Sequence, residues 1–388
     1  MDDRYFMTLA IDLAKQGIGY TSPNPVVGAV VVKEGRMVGS GFHRAAGSAH
    51  AEINALDDAG DLTKNADLFV TLEPCNHFGR TPPCTDRILK SGIRRVIIAM
   101  ADPNPDVRAQ GAKRLEQAGI EIVRGVCEDE AKVLNEAFVK YVITKQPFVI
   151  AKVATTLDGH IATRTGDAKW VSGPASRQAV HRLRHAVDAI MVGVNTVKMD
   201  NPQLTTRLTD GNGSDPIRIV LDTSLSIPAD ARILHSDSAA DTLLVTGANT
   251  LKAGQNAKKR DLLENKGVRI ITSPLKNGHI DLKHLMNRLG DMEITSLLIE
   301  GGSRVMGAAF ESDIVDKVAF FYAPKILGGD DGYPICSGRG AETMAACIPI
   351  TRMSTHWFEN DVMIEGYVGN RHPADRMAAA SDQQHGRS

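Results

Sequence analysis

Short runs of β-branched and aliphatic residues alternate with stretches of helical periodicity, and this alternation constrains the fold more than any other feature of the sequence. In the first half, it predicts buried strands over residues 26–32, 68–72 and 96–100. It predicts helices over residues 5–16, 51–59, 85–91, 109–117 and 129–144. Strands separated by helices in this way are typical of an α/β fold with a largely parallel sheet.

The same alternation begins again at residue 148. Strands are predicted over residues 148–154, 189–194, 217–222, 242–246, 268–271 and 296–300, with a helix over residues 176–186. Two late strands, over residues 318–323 and 362–368, are expected to join the sheet in antiparallel orientation. The stretches 208–215 and 252–267 are polar, and we interpret them as surface insertions.

The boundary between the halves is predicted at Lys145-Gln146-Pro147, because proline disfavours helical geometry in the residue before it. We therefore predict one domain over residues 1–146 and a second over residues 147–368. Residues 369–388 contain few large apolar side chains and are expected to form a mobile tail.

Charge and cysteine content restrict the partners and the compartment. The 388 residues include 45 Lys and Arg against 46 Asp and Glu, a formal net charge of −1, which does not favour nucleic acid or an anionic membrane as main partner. No apolar run approaches the roughly 18 residues that cross a bilayer, and the start Met1-Asp2-Asp3 lacks a basic signal segment. Five cysteines, an odd number, favour a reducing compartment, and we expect a soluble cytoplasmic protein.

A set of metal ligands follows from His50-Ala51-Glu52, Pro74-Cys75 and Cys84. One imidazole and two thiolates can hold zinc and leave a fourth position for water, whose proton Glu52 could shuttle. Zinc deaminases show H-x-E followed by P-C-x-x-C. Here eight residues separate the cysteines, so the pattern is stretched.

Two other interpretations of these residues stay open. His50, Cys75 and Cys84 could be unrelated buried side chains, since cysteine often serves as a small core residue. Alternatively the zinc could be structural, with His77 as its fourth ligand.

Four segments of the first half carry a resemblance to a known family. They are Ser22-Pro23-Asn24-Pro25-Val26-Val27-Gly28, His50-Ala51-Glu52, the stretch from Glu73-Pro74-Cys75-Asn76-His77-Phe78 to Cys84, and Asp102-Pro103-Asn104-Pro105. They resemble the deaminase half of the bacterial bifunctional riboflavin-biosynthesis proteins of the RibD family, in which the long spacer between the cysteines is typical. The resemblance implies a three-layer sandwich similar to cytidine deaminase.

The resemblance also implies which residues of this half contact a pyrimidine that carries a ribose 5-phosphate. They are Asn24, His43, His77, Asp102 and Asn104. Without the resemblance, Asn24 and Asp102-Pro103-Asn104 would be interpreted as ordinary turn residues.

The second half contains neither G-x-G-x-x-G nor a P-loop in a strand-to-helix setting. Gly301-Gly302 lies between a predicted strand and a helix, where it could favour phosphate or could be a tight turn without a ligand. A more specific resemblance rests on Lys152, Thr156-Leu157-Asp158-Gly159, Trp170-Val171-Ser172, Arg184, Gly193-Val194-Asn195-Thr196-Val197, Asp200-Asn201-Pro202, Leu204-Thr205, Arg207 and Glu300-Gly301-Gly302. These residues resemble the reductase half of the same family, which is similar to dihydrofolate reductase and uses NADPH.

By this resemblance one group of residues lines the cofactor: Ala154, Trp170, Thr196, Asp200, Thr223, Gly302, Ser303, Arg304, Val305, Met306, Gly307 and Ala308. A second group holds the sugar-phosphate substrate: Lys152, Ser172, Arg184, Leu204, Arg207 and Glu300. Position 168 also meets substrate in the family, and Ala168 can offer only its backbone there.

Reduction of a ribosylamine requires opening of the sugar ring and delivery of hydride to the carbon that is freed. Lys152, Asp200 and Glu300 are candidates for the proton transfers, and Arg184 and Arg207 can bind the 5-phosphate bidentately. Arg184 could instead face solvent from its helix, and Asp200 could be only a turn former or helix cap.

The expected activity is therefore a two-step conversion. The first half would deaminate 2,5-diamino-6-(5-phosphoribosylamino)pyrimidin-4-one with zinc. The second half would reduce the ribosyl chain with NADPH to give 5-amino-6-(5-phosphoribitylamino)uracil, an intermediate toward flavins. Family members are usually dimers or tetramers, so a homo-oligomer is expected.

Two alternative functions belong to other classes. A nucleic-acid deaminase would share His50, Glu52, Cys75 and Cys84 but needs a basic groove and aromatic platforms, which the net charge of −1 and the 5% aromatic content disfavour. A non-enzymatic protein would combine structural zinc with a nucleotide-binding regulatory module. The substitution Glu52→Gln separates these possibilities, because structural zinc would be indifferent to it whereas a deaminase would keep zinc and lose activity.

Overall fold

The chain divides into two compact units. One comprises Met1–Lys145 together with His372–Ser388, and the other comprises Gln146–Arg371. The structure is a computed structural model that describes residues 2–78, 82–104, 108–211, 213–235, 237–252 and 254–385. Within these residues, no helix combines the length and the apolar character needed to cross a membrane.

The first unit alternates strands and helices from its beginning. Its strands are β1 (Gly28–Lys33), β2 (Arg36–Phe42), β3 (Asp67–Leu72), β4 (Arg95–Met100) and β5 (Glu121–Arg124). Its helices up to Lys145 are α1 (Asp3–Ala14), α2 (Ala51–Ala59), α3 (Cys84–Ser91), α4 (Gln110–Gln117), α5 (Glu128–Leu134) and α6 (Glu136–Thr144). Strands β2 and β5 were not predicted, because β2 is partly exposed and β5 is short.

The sheet of this unit has the order β2-β1-β3-β4-β5, with β1 antiparallel to both of its neighbours and β3, β4 and β5 parallel. Helices cover both faces. A Cβ on Gly28 would lie 1.9 Å from the Ala10 carbonyl oxygen of α1, and a Cβ on Gly41 would lie 2.6 Å from the Ala55 nitrogen of α2. Because Gly41 is paired with Ala29, Gly28 and Gly41 face opposite sides. The result is a three-layer sandwich.

The single helix predicted over residues 129–144 is wrong, because the structure breaks it at Asn135. The buried Asn135 amide accepts a hydrogen bond from the Val26 N–H and donates one to the Val26 carbonyl, each at 3.0 Å. The side chain therefore replaces a strand partner for Val26, and the helix restarts as α6.

The second unit begins at β6. Its strands are β6 (Phe148–Thr156), β7 (His160–Ala162), β8 (Ala189–Gly193), β9 (Ile217–Leu221), β10 (Thr242–Gly247), β11 (Arg269–Ser273), β12 (Leu275–Lys276), β13 (His279–Ile280), β14 (Ser296–Glu300), β15 (Lys317–Ala323), β16 (Tyr333–Pro334), β17 (Ile350–Phe358) and β18 (Asp361–Val368). Its helices are α7 (Pro174–Ala186), α8 (Val194–Asp200), α9 (Gly254–Glu264), α10 (Leu282–Asp291) and α11 (Ser303–Glu311).

The main sheet of the second unit has the order β11-β10-β9-β8-β14-β6-β15-β18-β17. All pairs from β11 to β15 are parallel, so the carboxyl ends of these strands share one edge. The antiparallel orientation predicted for residues 318–323 is wrong with respect to β6, because β15 runs parallel to it. Strand β18 is antiparallel to β15, and β17 is antiparallel to β18. The polar stretch 252–267 contains a helix, α9, whose Leu263 is buried.

Residues 373–385 form a helix, α12 (Pro373–His385), where the sequence predicted a mobile tail. Met377 of α12 is 4% exposed and belongs to the hydrophobic core of the first unit. Arg108 donates a hydrogen bond to Ser381 Oγ at 2.5 Å. Met377 is the one large apolar side chain of residues 373–385, and this signal was too weak to predict the packing from the sequence.

Candidate active sites

Three side chains of the first unit converge as a metal-ligating cluster. His50 directly precedes α2, Cys75 follows β3, and Cys84 is the first residue of α3. His50 Nδ1 lies 3.2 Å from Cys84 Sγ and 3.6 Å from Cys75 Sγ, and the three ligand atoms lie within 4.8 Å of one another. Two sulfur donors and one imidazole nitrogen fit zinc with a position left for a reacting molecule.

Without metal, the surroundings of this cluster favour the thiolate form of Cys75, whereas the hydrogen bond with Cys75 and burial raise the pKa of the Cys84 thiol. The N-termini of α2 and α3 meet there, and the positive end of a helix dipole stabilises negative charge. A hydrogen bond with the Cys84 thiol lowers the pKa of Cys75 to about 4. The Cys84 N–H also donates to Cys75 Sγ, at 3.2 Å.

Glu52 lies beside the cluster without belonging to it. Its side chain is buried in the first turn of α2. Burial raises the pKa of Glu52 to about 7, and the negative charge of Cys75 adds to this effect. A carboxyl group with such a pKa can both accept and release a proton near neutral pH.

Within the described residues, the cluster comprises only His50, Cys75 and Cys84. His77, which the sequence offered as a fourth ligand, is exposed and lies outside it. The structure therefore disfavours a closed structural site built with His77.

The predicted substrate residues occupy two places around the cluster. His43 packs edge to face on the His50 ring, with centroids 5.4 Å apart. Because His43 Nδ1 lies 3.2 Å from the Ala49 carbonyl, it is the donor, and Nε2 is left to accept from Asn24 Nδ2 at 3.1 Å. Burial lowers the pKa of His43, consistent with this neutral form.

Asp102 and Asn104 follow β4, on the same edge as Cys75 after the neighbouring parallel strand. Asp102 Oδ1 accepts from the Asn104 N–H at 2.8 Å, and burial raises the pKa of Asp102 to about 6. The buried Glu73 accepts from the backbone N–H groups of Asp102, Ala109 and Ala112 at 3.4, 3.0 and 3.1 Å. Sequence reasoning missed Glu73 as the anchor of this loop.

The long spacer between the cysteines also has an anchor that was missed. Arg114 of α4 donates to Asn76 Oδ1 at 2.8 Å and to Thr85 Oγ1 at 3.1 Å. These contacts fix the residues next to Cys75 and Cys84. Of the family-like segments, Gly79-Arg80-Thr81 and Pro105 lie outside the described residues.

In the second unit, buried Glu300 and the largely buried Lys152 and Arg184 form a charged cluster. Lys152 of β6 and Glu300 of β14 are register partners, and Lys152 Nζ lies 3.9 Å from Glu300 Oε2. Arg184 of α7 donates through Nε and Nη2 to the two Glu300 oxygens, both at 2.8 Å. The solvent-facing alternative for Arg184 is therefore wrong.

The charges in this cluster decide which groups stay ionised. Burial alone would raise the pKa of Glu300, but the charges of Arg184 and Lys152 outweigh it and lower the pKa to about 2. Burial lowers the pKa of Lys152; the Glu300 charge opposes this and the Arg184 charge adds to it. Glu300 thus stays ionised, whereas Lys152 is the member that can release a proton.

Arg207 is exposed at the end of a segment held against this cluster. Arg184 Nη1 donates to the Thr205 carbonyl at 3.1 Å, and Arg207 Nη1 donates to Thr205 Oγ1 at 2.8 Å. Leu204 is buried with a φ of +56°. Partial desolvation of this exposed side chain lowers the pKa of Arg207, and the charge of Arg184 lowers it further. The two guanidinium charges therefore repel each other, and the Arg184 fork is already taken by Glu300.

The predicted cofactor residues include a turn with positive φ. Gly301 and Gly302 have φ values of +81° and +79°, and a Cβ on Gly302 would lie 3.2 Å from Thr196 Oγ1 of α8. This bare backbone at the start of α11 fits the close approach of a phosphate-bearing cofactor such as NADPH. The following residues divide into buried Ser303 and Met306, exposed Arg304, and partly buried Val305, Gly307 and Ala308.

Trp170 and Ala168 line a cleft with Thr156, His160 and Lys325. Trp170 is exposed and lies 4.6 Å from the Arg177 guanidinium, which also donates to the Ser172 carbonyl at 2.8 Å. Other predicted residues lie along the strand ends: Ala154 on β6, Thr223 after β9, and Asp200 as the last residue of α8. Burial raises the pKa of Asp200, against the charge of Lys169.

Two family models match the chain. The cytidine and deoxycytidylate deaminase zinc-binding region matches residues 1–100, which include His50, Cys75 and Cys84. The RibD C-terminal domain matches residues 147–363, which include Lys152 and Glu300. The predicted cytidine-deaminase-like sandwich and dihydrofolate-reductase-like domain are confirmed.

Curated relatives match this chain over most of its length. Riboflavin biosynthesis protein RibD of Aquifex aeolicus is 46% identical over 84% of this chain and 88% of its own length, and RibD of Actinobacillus pleuropneumoniae is 40% identical over 95% and 96%. The structure of Acinetobacter baumannii RibD matches with a TM-score of 0.84 at 34% identity, covering 95% of this chain and 99% of that one. A diaminohydroxyphosphoribosylaminopyrimidine deaminase/5-amino-6-(5-phosphoribosylamino)uracil reductase of Thermotoga maritima matches at 0.82 with 37% identity and the same coverage. The chain belongs to the RibD family and is a bifunctional deaminase and reductase of riboflavin biosynthesis.

Proposed function

We propose that the unit with the zinc ligands deaminates 2,5-diamino-6-(5-phosphoribosylamino)pyrimidin-4-one and that the Gln146–Arg371 unit reduces its ribosyl chain with NADPH. The observation that carries this proposal is that each unit contains its own candidate reaction centre. One is the His50, Cys75 and Cys84 cluster beside buried Glu52, and the other is Lys152 held by Glu300.

In the deaminase unit, Glu52 moves the proton. Zinc held by His50, Cys75 and Cys84 would activate a water molecule for attack on the carbon that carries the amino group. Glu52 accepts a proton from the attacking water and delivers it to the departing nitrogen, so that a C–O bond forms, the C–N bond breaks and ammonia leaves. The raised pKa of Glu52 suits both transfers.

The remaining residues of this site hold the substrate. We assign Asn24 and His43 to one side of the pyrimidine, since they contact each other and the His50 ring. Asp102 and Asn104 occupy the loop anchored by Glu73, and His77 contributes from the exposed spacer.

In the reductase unit, we assign Lys152 as the proton donor. NADPH along the Gly301-Gly302 turn would supply a hydride to the carbon of the ring-opened imine. Lys152, whose pKa is lowered by burial, releases the proton that completes the reduction of the C=N bond to an amine. Ionised Glu300 orients Lys152, and Asp200, whose pKa is raised, is assigned to opening of the sugar ring.

The ribose 5-phosphate is assigned to the positive charges of Arg184 and Arg207. Because Glu300 occupies the Arg184 fork, Arg184 acts through its charge and Arg207 makes the direct contact. A phosphate dianion would relieve the repulsion between the two guanidinium groups.

Mass spectrometry of the diaminopyrimidine ribose phosphate after incubation with the zinc-loaded enzyme tests both activities. Without NADPH, one amino group is exchanged for oxygen; with NADPH, two hydrogens are then added. If only the first change occurred, the assignment of Lys152, Asp200 and Glu300 would be wrong. If neither occurred, the proposed substrate would be wrong.

A homo-oligomer is proposed from the edge of the second sheet. Strand β17 lies at the end of the strand order, and its Trp357 and Met353 side chains are 71% and 60% exposed. An exposed edge strand with apolar side chains favours pairing with another copy. Light scattering coupled to gel filtration is expected to give a dimer or tetramer, and Trp357→Asp is expected to lower the mass; a monomeric wild-type enzyme would refute this.

We also propose a cytoplasmic location without nucleic acid as a partner. Cys75 and Cys84 bind metal only as reduced thiolates, which a reducing compartment maintains. Fractionation of the source cells, with activity measured in the soluble cytoplasmic and membrane fractions, tests the location.

A further inference from the structure

Two histidines of α7 hold both ends of the polar segment that begins at Arg207. His181 Nδ1 accepts the N–H of Arg207 at 3.2 Å. One helical turn later, His185 Nδ1 accepts the N–H of Ser214 at 3.1 Å. The next residue, Asp215, accepts the N–H of Thr206 at 2.6 Å through its carboxylate. The segment is therefore tied to the same helix that carries Arg184.

The contact with His181 requires a neutral imidazole. A backbone N–H can only donate, so Nδ1 must carry a lone pair and the ring proton must be on Nε2. His181 is buried, and burial together with the charges of Arg184 and Arg207 lowers its pKa to about 4. The positive groups around the ring thus keep it in the accepting form.

The contact between His181 and the Arg207 backbone has no part in the proton transfers or in the direct phosphate contacts assigned above. His181 and Arg184 are three residues apart on one helix and project on the same face. Arg184 supplies one of the two positive charges assigned to the phosphate. His181 holds the backbone of Arg207, which supplies the other charge.

We propose that His181 is a positioning residue that sets the distance between Arg207 and Arg184 and so determines the affinity of the reductase unit for the substrate phosphate. This inference rests on the proposed function of the two arginines. His181 contacts neither substrate nor cofactor in this proposal. It acts through the backbone of the segment that carries Arg207, where it accepts from the Arg207 N–H and shares a hydrogen bond with the Thr205 backbone.

Three variants of the full-length enzyme test the proposal: His181→Leu removes the acceptor, His181→Asn keeps an oxygen near the Nδ1 position, and His181→Gln moves the oxygen one carbon further out. The assay follows NADPH oxidation with 5-amino-6-(5-phosphoribosylamino)uracil, and inhibition by ribose 5-phosphate is compared with inhibition by ribose. His284→Leu, at an exposed position of α10, is the matched control. The urea midpoint of each preparation, followed by the fluorescence of Trp170 and Trp357, reports on the folding of the reductase unit.

His181→Leu is expected to raise KM and the inhibition constant of ribose 5-phosphate about tenfold, less than the roughly 100-fold cost of a 1 Å displacement at a reacting centre. The kcat and the inhibition by ribose should stay near the wild-type values, because the loss concerns binding of the phosphate. His181→Asn should restore most of the affinity, whereas His181→Gln should resemble His181→Leu.

Two results would overturn the proposal: an unchanged constant for ribose 5-phosphate in His181→Leu, or equal losses in His181→Asn and His181→Leu. A fall in kcat without a change in KM would equally assign His181 to another role. If Arg207→Ala also left the inhibition by ribose 5-phosphate unchanged, the phosphate site of the proposed function would be wrong. If Arg207→Ala weakened it and His181→Leu did not, only the positioning role would be wrong.

Discussion

Replacing Glu300 by glutamine is expected to lower the free energy of unfolding of the Gln146–Arg371 unit by about 3 kcal/mol. The Glu300 pKa falls from 4.5 to about 2, which corresponds to about 3.4 kcal/mol in favour of the ionised form at 1.36 kcal/mol per pKa unit. Glutamine keeps the shape but leaves Arg184 and Lys152 uncompensated, and loss of one partner from a buried ion pair costs roughly 3–5 kcal/mol. Because the pKa is depressed on folding, this stabilisation is complete above about pH 4.5 and is lost as the pH falls toward 2.

The assay is urea unfolding at pH 7.5, followed by tryptophan fluorescence. Both tryptophans of the chain, Trp170 and Trp357, lie in this unit, so their emission reports on it selectively. The control is Glu342→Gln, because Glu342 pairs with Arg339 while the two side chains are 76% and 83% exposed. An exposed pair of this kind contributes less than about 1 kcal/mol. A Glu300→Gln midpoint no lower than that of Glu342→Gln would refute the reasoning.

Four further outcomes are expected. Glu52→Gln should lower the deaminase rate at least about 100-fold with unchanged zinc content by elemental analysis, and loss of zinc would show that Glu52 is a ligand. Cys84→Ser should lower the zinc content while reduction of the deaminated substrate continues at the wild-type rate; zinc equal to that of the wild type would contradict the ligand set. Asn135→Leu leaves the buried Val26 N–H and C=O unpaired, at about 1–3 kcal/mol for each group. Tryptophan fluorescence does not report on the first unit, so its unfolding is followed by far-ultraviolet circular dichroism and should shift to a lower urea concentration. The stability of the reductase unit should be complete above about pH 6.5 and decline toward pH 4, because folded His181 has a pKa near 4 whereas the unfolded residue titrates at 6.5; His181→Asn should reduce this slope, and an equal slope would contradict the assignment.

The sequence alone predicted those site residues that lie close together along the chain. His50 and Glu52 are two residues apart, and a strand-to-helix pattern places Cys75 and Cys84 at one end of the sheet, so the zinc cluster could be predicted. The alternation of strands and helices likewise predicted the class of both units. The predicted substrate and cofactor contacts stay predictions.

Contacts between residues far apart in the sequence could not be predicted from it. The break at Asn135 depends on Val26, more than a hundred residues away, and helical periodicity alone favours an unbroken helix. The burial of Arg184 depends on Glu300, which lies on a strand that begins far along the chain. His181 could have been noticed from its spacing to Arg184, but only the fold shows that it accepts from Arg207.

The helix α12 has a consequence for the order in which the enzyme is made. A ribosome produces residues 1–145 first and the reductase unit next, and only then the segment whose Met377 joins the core of the first unit. The deaminase unit therefore completes its core last, although most of it is synthesised first. A chain cut after residue 371 would contain every zinc ligand and yet lack part of the surface against which its own helices pack.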